Sequence, residues 1–79
     1  MTTLKMTARE LNAVRKTSRA TQSMYGRANA EFKKRYPSIE PDDGREDCRF
    51  GSVEITLIGV VRKRGMAVGT EAETFSFIP

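Results

Sequence analysis

Residues 7–36, TARELNAVRKTSRATQSMYGRANAEFKKRY, decide the fold. Thr7-Ala8-Arg9-Glu10 has the form of a capping box: the Thr7 hydroxyl accepts from the N–H of Glu10, whose carboxylate reaches back to the N–H of Thr7. Met6 and Leu11 occupy the two positions of a hydrophobic staple, so two start signals coincide and predict a helix from Ala8. Leu11, Val14, Ser18, Thr21, Tyr25, Ala28 and Phe32 then recur at steps of three and four, while Arg9, Arg15, Lys16, Arg19, Arg27, Lys33 and Lys34 fall on a separate arc. This segregation predicts one long amphipathic helix over 8–36, stopped by Pro37, because the residue before a proline is pushed out of the helical region. Thr17, Ser18, Thr21, Ser23 and Gly26 are indifferent or poor helix formers. The alternative is a break near 17–18, with Thr17 or Ser18 capping a second helix.

Outward from this stretch, Thr2-Thr3-Leu4-Lys5-Met6 alternates and predicts a strand over 2–6. Residues 37–47, PSIEPDDGRED, with two prolines and an Asp-Asp-Gly, predict an acidic loop. Asp42-Asp43-Gly44 reads as a turn there; it lacks the alternating ligands and terminal Glu of a calcium loop. Residues 50–61 predict a strand with Val53, Ile55 and Leu57 on one face and Ile58 and Val60 on the other. Apolar residues on both faces suit a central strand, or one whose second face meets a partner. A further strand is predicted over 71–78, with Phe75 and Phe77 in the core. Between these strands Arg62-Lys63-Arg64-Gly65 opens a connection to Gly69, either a wide loop or a hairpin with 62–68 partly paired. The expected fold is a single α+β domain over 1–79, of β-α-β-β order, with one long N-terminal amphipathic helix packed on a small, mostly antiparallel sheet. Leu11 is expected in its core, and Leu11→Asp to destabilise it strongly.

A chain of 79 residues supports one small core. It contains no His and one Cys, Cys48, so an intrachain disulfide, a Cys/His zinc site and Ser-His-Asp or Cys-His catalysis are excluded. No apolar run reaches membrane-spanning or signal-peptide length, and the expectation is a reduced, cytoplasmic protein without membrane contact. The net charge of +4 is uneven. Residues 1–36 hold nine basic and two acidic side chains, residues 37–50 two and five, and residues 51–79 three of each.

Catalysis finds little support. The carboxylates cluster in the acidic stretch without an apolar pocket to shift a pKa, and Gly65 and Gly69 fit no nucleotide fingerprint. Cys48 lies between Arg45 and Arg49 but also beside Glu46 and Asp47 and has no base, so no enzyme, cofactor or metal is expected. Binding is better supported. The basic arc suits contact with nucleic-acid phosphates, and Arg62, Lys63 and Arg64 extend that surface if their connection lies at the same edge. Tyr36 is a candidate for stacking on bases, whereas Tyr25 belongs to the apolar arc. Glu40, Asp42, Asp43, Glu46 and Asp47 suit a basic groove on a partner protein.

The compact series of strand, helix TARELNAVRK and C-terminal strands ITLIGVV and TFSFI resembles, in kind, small phage-encoded inhibitors of bacterial defence, including anti-CRISPR proteins. The resemblance implies a non-catalytic protein that occupies a surface on a host nucleoprotein complex, such as a CRISPR effector, and blocks DNA recruitment or cleavage in the bacterial cytosol. Many anti-CRISPRs are acidic and this chain is basic, which argues against simple DNA mimicry. Two functions are therefore expected from different classes: a stoichiometric inhibitor acting through charged patches, or a small nucleic-acid-binding module using Arg15, Lys16, Arg19, Arg27 and Lys34. Either is compatible with a monomer or a weak homodimer.

Overall fold

The computed structural model describes all of residues 1–79. Its elements are β1 (Thr2–Lys5), α1 (Ala8–Thr17), α2 (Gln22–Arg35), β2 (Pro41–Arg49), β3 (Ser52–Lys63) and β4 (Met66–Ile78). They form one four-stranded mixed sheet of order β1-β4-β3-β2, in which β1 runs parallel to β4 and the other pairs are antiparallel. Both helices cover one face. The chain is thus α+β, with two helices and four strands rather than one helix and three strands.

The capping box forms as the sequence requires: Glu10 N–H donates to Thr7 Oγ1 at 3.1 Å, and Thr7 N–H donates to Glu10 Oε1 at 2.9 Å. The single long helix does not. Ser18 turns into the left-handed region at φ 56°, which ends α1, and its N–H closes on the Val14 carbonyl at 2.8 Å. Thr21, not Thr17 or Ser18, then caps α2, accepting from Met24 N–H at 3.2 Å. The break resets the helical phase. Met24 becomes fully buried with Ala28 and Phe32, Ser18 is exposed, and Tyr25 is half-buried.

The acidic stretch is the second correction. Residues 41–47 belong to β2, an edge strand whose ladder with β3 runs from Pro41 opposite Gly59 to Arg49 opposite Ser52, with a register shift between Pro41 and Asp43. Charged side chains and a proline suit an edge strand, which has one paired neighbour and must discourage another. Asp42, Asp43 and Gly44 therefore lie in a strand, not a turn. The strand predicted over 50–61 lies two residues later, at Ser52–Lys63, and the one predicted over 71–78 begins five residues earlier, at Met66, so that β3 and β4 stay paired to Lys63 opposite Met66. Both hairpins reverse through two residues with positive φ, Phe50-Gly51 (51° and 79°) and Arg64-Gly65 (53° and 79°). This is the primed turn geometry that matches strand twist.

The core is Met6, Val14, Met24, Ala28, Phe32, Val53, Ile55, Leu57, Phe75 and Phe77. Leu11 is half-buried at its rim rather than inside it. Along β3 full burial stops at Gly59, Val60 and Val61 are half-buried, and every residue from Arg62 to Ala72 is exposed. Past the pairing of Gly59 with Glu71, neither β1 nor β2 continues, and β3 and β4 run on as a two-stranded arm over 60–70. The arm accounts for an elongated shape of 45 × 19 × 18 Å and a radius of gyration of 13.5 Å; a compact chain of this length would have about 11.6 Å. No helix is long and apolar enough to cross a membrane.

Candidate functional site

Most of the basic arc predicted along the helices is committed within the fold. Glu10, buried at 3% exposure, accepts from Arg27 Nη1 at 2.5 Å, from the Ser23 hydroxyl, and from its own capping partner Thr7. Arg27 Nη2 donates to the Lys5 carbonyl at 2.9 Å, and its guanidinium lies 5.3 Å from the Phe77 ring centroid. Burial pushes the Glu10 carboxyl upward, but the hydrogen bonds from Ser23 and Thr7 and the charge of Arg27 outweigh it and hold the group below its ordinary pKa. Arg27 thus ties α2 to β1 and to the first turn of α1.

Glu46 of β2 does similar work at the other end of α1. It accepts from Ala20 N–H at 2.8 Å, from Tyr25 Oη at 2.9 Å and from Arg19 Nη2 at 3.4 Å. The Ala20 N–H and the other two donors lower its pKa against a smaller opposing effect of burial. Burial, together with the hydrogen bond to Glu46 and its charge, raises that of Tyr25. Near the end of α2, Lys33 pairs with Glu40, Lys34 with Glu31 at 3.3 Å, and Arg35 with Glu73 at 2.8 Å. Tyr36 packs against Phe32 with ring centroids 4.9 Å apart and is half-buried. Cys48 is half-buried against the core. No three His, Cys, Asp or Glu side chains gather as a metal site would need.

Six of the ten predicted basic residues have no carboxylate partner: Arg9, Arg15 and Lys16 on α1, and Arg62, Lys63 and Arg64 on the arm. They do not form one surface. α1 begins beside Ile78, where Met6 N–H meets the Ile78 carbonyl at 2.7 Å, and the connection that follows it is tied to Glu46, opposite Ile55. Eight residue steps along β3 separate Ile55 from Lys63, about 26 Å of strand. The two groups of cations therefore occupy opposite ends of the molecule.

The outer part of the arm has no internal counterpart, while at its base Val60 and Arg62 line a cleft with Ser38, Glu40 and Asp42. Arg62 and Lys63 project to opposite faces of the ribbon by strand alternation, and Arg64 stands at the reversal. Met66 opposite Lys63 is 70% exposed, and Val68, beside a register shift, is 57% exposed. Of the two forms the sequence allows for this connection, a wide loop or a hairpin partly paired over 62–68, the hairpin is the one present, and it sets Met66, Ala67 and Val68 beside the three cations. The signal was present: Arg64-Gly65 between two runs of strand-forming residues is a two-residue hairpin turn. Comparison with protein-family models, curated proteins and solved structures returned no match.

Proposed function

We propose that the chain is a non-catalytic binding protein of the phage-inhibitor kind, which docks on a host nucleoprotein defence complex in the bacterial cytosol and obstructs its recruitment of nucleic acid. The observation that carries this reading is the arm. A two-stranded ribbon standing free in water is marginal by itself, and this one holds three unpaired cations and two exposed apolar side chains beyond the last buried residue. Such a device gains its stabilisation from whatever it touches. The alternative, a module that grips phosphates along the helical basic face, is weaker because Arg19, Arg27, Lys33 and Lys34 already neutralise carboxylates of the same chain.

The test is interference in cells. The chain is expressed in bacterial strains that each carry one CRISPR effector, and the strains are challenged with a targeted phage. At least one strain should regain plaque formation, and the variant Arg62→Ala/Lys63→Ala/Arg64→Ala should not restore it. Continued immunity in every strain overturns the reading.

A further inference from the structure

We infer that the arm is a reader of duplex DNA, entering the major groove with Arg62, Lys63 and Arg64 on phosphates. The inference rests on the preceding reading only in taking the arm as the contact element. Three properties of the arm select this ligand class. The first is charge placement. Residues 60–70 contain three cations and no carboxylate, and alternation sends Arg62 and Lys63 to opposite faces; Arg62, at the base, shares a cleft with Glu40 and Asp42 without pairing to either, and Lys63 and Arg64 stand beyond it. A flat acidic protein surface would satisfy one face and leave the other in water, whereas a groove walled by phosphates on both sides meets both.

The second is size. From Val60 to Arg64 the ribbon advances about 13 Å, and a sheet with its side chains is about 10 Å thick. The major groove of B-form DNA is about 12 Å wide and about 8.5 Å deep, and it admits a two-stranded ribbon. The arm is long enough to reach the floor while the body stays outside. The deep, narrow major groove of A-form RNA would refuse the same element.

The third is composition. Val60-Val61-Arg62-Lys63-Arg64-Gly65-Met66-Ala67-Val68-Gly69-Thr70 has no aromatic residue, so the arm offers no platform for the unstacked bases of a single strand. Its exposed Met66 and Val68 are instead suited to apolar contact with thymine methyls at a groove floor.

The experiment is fluorescence anisotropy of the full chain with a labelled, random-sequence DNA duplex of about two helical turns, titrated at salt from about 50 to about 200 mM. Matched single-stranded DNA and an RNA duplex serve as further probes. The duplex DNA should be bound in preference to both. In the variant Arg62→Ala/Lys63→Ala/Arg64→Ala the log–log salt slope should be shallower by about 2.7, the loss of three phosphate contacts. The variant Arg45→Ala/Arg49→Ala, which removes β2 charges away from the arm, should keep the original slope. Circular dichroism should report both variants folded, because the tip lies outside the core. No binding to duplex DNA at the lowest salt overturns the inference, as does an unchanged slope in the triple variant or equal affinity for RNA. A failure here with phage protection intact would leave the inhibitor reading standing; DNA binding without relief of interference would do the reverse.

Discussion

The carboxylate of Glu10 on α1 and the guanidinium of Arg27 on α2 meet at 2.5 Å, and one side of this ion pair is almost wholly removed from solvent. Glu10 also closes the capping box and accepts from Ser23, so its removal leaves three donors without an acceptor. Deleting one member of a buried pair costs more than the pair itself contributes. Glu10→Ala should lower stability by roughly 3 kcal/mol and Arg27→Ala, whose side chain is partly solvated, by about 2 kcal/mol. The double variant should lose less than the sum, with a coupling of about 1 kcal/mol in urea denaturation. Strict additivity would mean that the two side chains do not act together.

Gly59 is where β3 passes beneath Phe32 and the chain entering β2. A methyl group there would lie 2.4 Å from Ile39 Cγ2, 3.0 Å from the Glu40 carbonyl oxygen and 3.2 Å from Phe32 Cζ. Gly59→Ala should destabilise by about 1–3 kcal/mol through overpacking. Gly44→Ala meets only side chains at 3.3 Å or beyond within that distance range, apart from the Thr56 carbonyl at 3.8 Å, and should cost less. Thermal melts of the two variants rank them; the reverse order would misassign the close approach.

Phe50 holds φ 51° in the β2–β3 turn and is fully exposed. A left-handed conformation costs an ordinary side chain about 1–2 kcal/mol, and Asn before Gly is the favoured primed turn. Phe50→Asn should therefore raise stability by roughly 0.5–1 kcal/mol, read as an increase in the urea midpoint without a change in slope.

Acid and alkali should act through different groups. Glu10 and Glu46 have folded-state pKa values below the ordinary 4.5. Their contribution is complete above that value and is lost as pH falls through the lowered folded values. Tyr25 has a folded-state pKa above the ordinary 10.0, so its contribution is complete below 10 and is lost as pH rises through the raised value. Stability measured by denaturant titration should be level between these limits and decline beyond each. In Glu10→Gln the acid decline should be shallower.

What the sequence made legible was local. The capping box of Thr7 and Glu10 lies within four residues and needs no tertiary partner, so it could be read directly; the period-two pattern of Val53, Ile55 and Leu57 and of Phe75 and Phe77 likewise placed the central strands. The helix break was harder, because the αL turn at Ser18 is followed by an Ala20 N–H that bonds to Glu46, twenty-six residues away in the chain. Apolar spacing carried across that break kept Val14, Ala28 and Phe32 but missed Met24. PDDGRED, residues 41–47, reads as a loop because edge strands are built from the residues that loops favour. The basic arc is legible without its counterions: Glu46 and Glu40, which take up Arg19 and Lys33, come from beyond the helices, and nothing in the spacing along the helices announces them.

Since every residue from Arg62 to Ala72 is exposed, the outer segment can change without disturbing the body that bears it. Replacement, lengthening or shortening of residues between Arg62 and Thr70 needs only a compatible reversal such as Arg64-Gly65 to keep the two strands in register. The same separation makes the tip a natural graft point for engineered loops.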